Sequence, residues 1–271
     1  MIRFLLRHLV LIVTSIIMLL PFVWMISLSL KSGAEMFLPD IHLWPREWNA
    51  AANYEAALTR SPLLRFLLNG VIVCAVTLTL QIVLALPFAY AIAKLRFKGR
   101  EFLFSLVVAG LMIPPQVLAI PLFVLFYRLG LLDTYGALIL PWGASVFCIF
   151  LLRQFFRAVP DELIDAARLD GMSEIGIILR IMAPAAIPAI GAFAIFSVVS
   201  HWNDLFWPLI MVKSETLATP PLGLVYFRNA ESGNEYGPLM AASVIITAPL
   251  IVAFLFAQKR FIEGMALTHK R

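Results

Sequence analysis

Residues 66–93 read FLLNGVIVCAVTLTLQIVLALPFAYAIA, without one Asp, Glu, Lys or Arg, and close on the basic turn Lys94, Arg96, Lys98 and Arg100. An apolar helix needs about 20 residues to cross the ~30 Å hydrocarbon core of a bilayer, so this run is long enough to span. Five more charge-free stretches reach 18 residues or longer: 8–30, 102–127, 134–152, 181–203 and 236–258; every other gap is 12 residues or shorter. Helices satisfy their own backbone hydrogen bonds in lipid. A barrel would show ~10-residue alternating segments, and Leu9–Leu20 shows no alternation. The sequence predicts an all-α integral membrane protein, a single transmembrane domain over 1–271. Six spans are expected, at about 9–30, 67–93, 102–127, 134–152, 184–210 and 238–258.

Composition agrees. Of 271 residues, 62% are hydrophobic and 14% charged, against ~45–50% and ~25% in ordinary globular domains. A water-soluble domain has no place to hide that much apolar surface, and disorder needs the opposite balance. The net charge is +5, and its placement orients the chain. The termini with 94–101, 153–180 and 259–271 hold 14 Lys and Arg; the opposite segments 31–65, 128–133 and 204–235 hold 7. The positive-inside rule then puts both termini in the cytoplasm. The turn at Lys94–Arg100 serves that topology signal, with anionic-lipid binding a second reading. The first apolar stretch exceeds a signal-peptide core of ~7–15 residues and reads as an anchor. Cys74 and Cys148 lie inside spans with no zinc or redox spacing and read as small packing residues.

The absences exclude functions. None of the 21 basic and 16 acidic residues falls in an apolar stretch. There is therefore no buried carboxylate to relay protons or sodium, as ion-coupled carriers use. His8, His42, His201 and His269 fall at or beyond span ends. No catalytic or metal-binding set, no intramembrane protease motif and no P-loop occurs. Energy for uphill work would have to come from another polypeptide.

The segment 153–180, RQFFRAVPDELIDAARLDGMSEIGIILR, is more than a connector. Pro160, Asp161 and Glu162 suit a helix start, Gly171 a stop, and Ser173 an N-cap for a second helix running into the fifth span. Ala166 and Ala167 beside Asp165, Arg168 and Asp170 suit insertion into a partner's groove. A helix lying on the membrane surface fits the composition equally well.

Asp165-Ala166-Ala167-Arg168-Leu169-Asp170-Gly171, with Ile181 and Pro184 downstream, resembles the EAA motif of ABC-importer permease subunits. Two departures are mild: Asp165 replaces the usual Glu, and Ala183 the usual Leu before the proline. The likeness extends toward carbohydrate-type permeases (maltose, trehalose, glycerol phosphate). It is carried by Pro21-Phe22-Val23-Trp24-Met25, Asn69, Arg96-Phe97-Lys98-Gly99-Arg100, Met112-Ile113-Pro114, Phe150–Phe156, Trp202-Asn203-Asp204 and Trp207-Pro208-Leu209. The resemblance implies a type I importer permease fold whose loop 157–182 is the coupling element for a separate ATPase. It also implies the partners: a homologous permease subunit, two ATPase subunits that bind MgATP, an extracytoplasmic solute-binding protein and membrane lipids, with no nucleic acid. The chain itself would carry no cofactor and would sit in a bacterial inner membrane.

For the solute path the residue types point to Asn69, Gln116, Trp202 and Asn203, because amides bond hydroxyls without charge and an aromatic face stacks on a sugar ring. Helix–helix bonding and an interfacial belt are the competing roles. Pro87, Pro114, Pro115, Pro121, Pro141, Pro188 and Pro249 lie within spans, where each removes a backbone hydrogen bond; Pro114-Pro115-Gln116 marks a pathway wall or a packing kink. Segment 31–65, with Trp44 and Trp48, suits contact with the binding protein or burial against the spans. The loop with Glu231 and Glu235 is a second contact, and the basic tail 258–271 a membrane stop. A non-transporting scaffold that recruits an ATPase and a stand-alone secondary carrier are the alternatives.

Overall fold

The computed structural model describes residues 2–230 and 236–268; Glu231, Glu235 and residues 269–271 lie outside them. Among the described residues there are helices and no strands. α1 (Ile2–Ser29) leads into a folded connector carrying α2 (Ala50–Thr59), and then α3 (Leu63–Lys94) crosses the whole bundle. Its 32 residues give roughly 48 Å at 1.5 Å per residue. Asn69, Val73, Thr77, Gln81, Ala85 and Ala89 recur every four residues, so the buried positions form one stripe.

The third expected span is not straight. α4 (Arg100–Leu111) and the segment Pro115–Arg128, whose regular part is α5 (Ala119–Arg128), are bent by 94°. Consecutive prolines cause it: a residue before proline is driven out of the α region, and Pro114 is extended at φ −62°, ψ 130°. The fourth apolar stretch is α6 (Tyr135–Ile139), a turn through Pro141, and α7 (Val146–Ala158). α8 (Asp161–Leu169) follows; Pro160 sits one residue before its first turn.

The expected run from the second loop helix into a continuous fifth span, 184–210, is corrected at two points. α9 (Glu174–Ile177) passes through a π-turn at Ile178–Met182 into α10 (Ala183–Ala185), and α11 (Ile187–Trp202) leaves at 76°. Pro184 and Pro188 have no N–H for the carbonyls four residues back, which loosens the ladder where it bends. The chain breaks again after Trp202, and α12 (Phe206–Met211) starts under Asp204, whose Oδ1 accepts the Trp207 N–H at 3.2 Å. α13 (Pro220–Ala230) and α14 (Tyr236–Thr268) complete the chain. Among the described residues, four helical stretches are long and apolar enough to cross a membrane, and up to six if each bent pair is one span.

Two cores lie at opposite ends of α3. One gathers Ala85–Ile92, α7, Ile164 and Ala167 of α8, Ile177 and Met182. The other gathers Leu63 and Phe66, α6, Trp207, Met211 and Leu222. α1 joins neither. It touches α2 and α14, yet no residue of its most apolar window is buried. The connector after it is organised by Glu35, whose carboxylate accepts His42 Nε2 at 2.6 Å and the Arg46 N–H at 2.7 Å. Burial pushes that carboxyl up, but these bonds outweigh it and hold the group below its ordinary range. Part of the connector is buried against the spans, Asn53 packing on Gly237 of α14, while Trp44 and Trp48 stay exposed.

Candidate functional site

The helix–turn–helix at 161–177 is a knob fastened to the end of α3. Gly171 adopts φ +80°, and the turn closes by Gly171 N–H to Arg168 O and Met172 N–H to Ala167 O, both at 3.0 Å. This pair of bonds satisfies the last carbonyls of α8 and requires the left-handed residue that glycine supplies. Ser173 Oγ then accepts the Gly176 N–H at 3.2 Å and starts α9.

Arg168 is the centre of the knob. Its guanidinium donates to both Glu174 oxygens, at 2.8 and 3.2 Å, and to Asp165 Oδ1 at 3.2 Å. Tyr90 of α3 reaches up to meet them, donating to Glu174 Oε2 at 2.5 Å. Four residues on, Lys94 donates at 2.5 Å to Val159 O and to Asp161 Oδ1. The Arg168 and Tyr90 hydrogen bonds hold the Glu174 carboxyl below its ordinary range. Lys94 does the same to Asp161, and Glu174 raises Arg168.

Of the residues singled out in the loop, Asp165, Ala166, Arg168, Asp170 and Gly171 are exposed. Ala167 is not: it is 6% exposed and packs into the core with Ile164. The outward face adds Leu169, 90% exposed, and Leu163. It therefore offers apolar side chains, a small residue and flanking charge, the composition a protein groove accepts.

The four path residues separate. Gln116 lines a cavity of about 210 Å³ with Trp142, His201, Asp204, Phe206 and Trp207. Asn203 is exposed next to it in sequence, but its Nδ2 donates at 2.8 Å to Val199 O in its own helix. Asn69 and Trp202 do not line the cavity. Asn69 is buried; its amide donates to Thr216 O and Ala218 O at 3.0 and 2.8 Å, and its oxygen accepts the Tyr135 hydroxyl at 2.5 Å. Trp202 is buried too, giving its indole N–H to Ile246 O at 3.2 Å. A carboxamide or indole so engaged holds helices together and has nothing left for a solute.

Three groups on α3 escaped the sequence reading. Tyr90 and Lys94 carry the knob, and their i, i+4 spacing at a helix end was the available signal. Gln81 lies between the knob and Asn69. It donates to Trp142 O at 2.9 Å and accepts Ser197 Oγ at 2.6 Å, supporting the cavity wall from behind. Asp133 is the fourth. It ties the turn before α6 to the end of α12, accepting the Lys213 and Ser214 N–H groups at 3.0 Å each and Ser214 Oγ at 2.9 Å. Burial pushes its carboxyl up, and these bonds bring it below the ordinary value.

Comparison with known proteins adds an independent line. A family model described as binding-protein-dependent transport system inner membrane component matches residues 81–266. The arabinooligosaccharides transport system permease protein AraQ of Halalkalibacterium halodurans is 39% identical over 199 residues, covering 73% of this chain and 71% of AraQ. The lactose transport system permease protein LacG of Rhizobium radiobacter is 30% identical over 259 residues, covering 96% and 93%. Among solved structures, a chain of a bacterial ABC transporter involved in the import of the acidic polysaccharide alginate superposes with a TM-score of 0.84, at 22% identity and 96% coverage of both chains. The fold is that of a type I importer permease.

Proposed function

The chain belongs to the family of inner membrane components of binding-protein-dependent transport systems, and we propose that it is the permease subunit of an ATP-driven importer for a sugar or sugar-derived solute. It is a multi-pass membrane protein that forms half of the pore beside a homologous permease. Two ATPase subunits bind MgATP and receive the knob at 161–171; a solute-binding protein delivers from outside. The chain hydrolyses nothing itself, and its termini and the knob face the cytoplasm, where Lys and Arg concentrate.

The observation that carries this reading is the clamp between the knob and α3. Closure of an ATPase dimer would push on the exposed face at Leu163, Ala166 and Leu169. The push reaches α3 through Tyr90 and Lys94, because each is bonded to the knob at 2.5 Å. α3 is one unbroken helix to Gln81 and Asn69, so a displacement at Lys94 is delivered at the cavity wall and at the opposite core. Coupling of this kind needs two discrete arrangements of rigid elements rather than a deformable chain. The bends at Pro114-Pro115 and at Ala186 are where those elements meet. The sugar class follows the relatives described above, which are named for transport of arabinooligosaccharides and lactose.

The test is ATP hydrolysis by the reconstituted assembly, with and without a binding protein loaded from a sugar panel, comparing native protein with Gly171→Pro. Proline removes the Gly171 N–H and forbids the positive φ. Loss of sugar-stimulated hydrolysis with the permease still inserted is the expected result. Undiminished stimulation would place the docking surface elsewhere and revive the scaffold and carrier readings.

A further inference from the structure

Beside the break between α11 and α12 the cavity lined by Gln116 is walled by polar side chains. Behind it Gln81 donates to Trp142 O at 2.9 Å and faces His201 Nε2 at 3.2 Å, while its oxygen accepts from Ser197. Asp204 uses Oδ1 for the Trp207 N–H. A carboxylate, the His201 ring and the exposed Gln116 amide thus share one wall with an aromatic pair, Trp142 and Trp207, whose rings meet edge-on at 5.4 Å and 81°.

No Lys or Arg lines this cavity. We infer that it is a subsite for one uncharged, hydroxyl-bearing ring of the solute, and that Asp204 selects neutral sugars against uronates, sugar phosphates and sulfonates. The inference deepens the importer reading and rests on it. Mixed donors and acceptors match sugar hydroxyls, which both give and take hydrogen bonds. An aromatic face matches the apolar side of a pyranose. A carboxylate repels an anion, and beside a protein wall it is screened less than in bulk water. At about 210 Å³ the cavity is smaller than the ~300–1,000 Å³ of sites that enclose a whole ligand. It holds one ring of a longer solute, with the partner permease closing the open side. The wall is anchored on α3 through Gln81, so the element that receives the push from the knob also shapes the subsite.

The experiment is ATP-driven uptake by the complete importer in liposomes, with one binding protein kept constant. The panel is neutral mono- to trisaccharides, cellobiose among them, each paired with its uronic acid counterpart, cellobiouronic acid for cellobiose. Native protein is expected to favour the neutral member. Asp204→Asn is expected to narrow the neutral-to-uronate ratio about tenfold, the effect of ~1.4 kcal/mol. Gln116→Leu, which keeps the volume and deletes the amide, is expected to lower neutral uptake severalfold. It decides the question alone if Asp204→Asn fails to assemble for want of its bond to the α12 start. An unchanged ratio in assembled Asp204→Asn, unchanged neutral uptake in Gln116→Leu, or a native preference for uronates overturns the subsite while leaving the importer reading intact. Uptake of no sugar at all, with hydrolysis unstimulated, overturns both.

Discussion

At its Lys94 end α3 meets the rest of the protein through charge: Lys94 against Asp161, and Tyr90 against the Arg168–Glu174 pair. At its far end the same helix meets its neighbours through one neutral amide, Asn69, set among backbone carbonyls and a tyrosine hydroxyl. Side chains at the charged end are partly open to water, with Arg168 37% and Asp161 71% exposed. Exposed ion pairs contribute little to stability and rearrange readily. Asn69 is 1% exposed. A neutral amide is cheap to bury when every group is paired and costly to disturb afterwards. The difference teaches that one end can rearrange at little cost in stability while the other keeps its geometry.

Removing the amide should have the largest effect. Asn69→Ala leaves two carbonyls and the Tyr135 hydroxyl without their donor or acceptor and is expected to cost about 2–3 kcal/mol, read as a lowered midpoint in thermal unfolding of the detergent-solubilised chain. Coupling in whatever protein still inserts should be near normal. Arg168→Ala should do the reverse: a nearly unchanged midpoint, and sugar-stimulated hydrolysis by the assembled importer down about tenfold. Arg168→Lys should not restore it, because an ammonium cannot serve both Glu174 oxygens in the forked geometry. If both variants lowered the midpoint and neither uncoupled hydrolysis, the contrast between the two ends would be lost.

Asp133 sharpens the contrast, being a charged group at the quiet end. Asp133→Asn keeps an acceptor and tolerates the positive φ of 59° at this position, so the expected loss is about 1 kcal/mol at pH 7. The native carboxyl titrates below its unfolded value of ~3.9. Its stabilisation is therefore complete above about pH 4 and fades as pH falls through the depressed folded value. Midpoints of native and Asp133→Asn protein should differ at pH 7 and converge as the pH falls through the depressed folded value. A difference that persisted in acid would mean that shape rather than charge holds this turn.

The membrane class was legible because apolarity summed over twenty residues overwhelms any single ambiguous position, and the knob was legible because Gly171 and Ser173 are local signals. The breaks were half legible. Pro114-Pro115 announces an interruption, but its 94° angle depends on what α5 packs against. Asn69 was left between a path role and helix–helix bonding for a physical reason. A lone amide opening an apolar helix looks the same whether it faces a solute or carbonyls 147 and 149 residues away. Ala167 was misjudged by one helical step: it shares the buried face with Ile164 three positions back, which the amphipathic pattern of Leu163–Leu169 contained. Gln81 carries no local signal at all, since its partners at 142, 197 and 201 come from two other elements, distant in sequence.

The division of labour between amides that brace helices and groups that line the cavity has a consequence for descent. Asn69 and Gln81 are bound by several partners each and are frozen by them. Gln116 lines the cavity and carries no such bonds. Lineages are free to exchange it without forfeiting the scaffold, so a duplicated copy of this gene can change what the cavity rim meets by few steps while the braced helices around it are inherited whole.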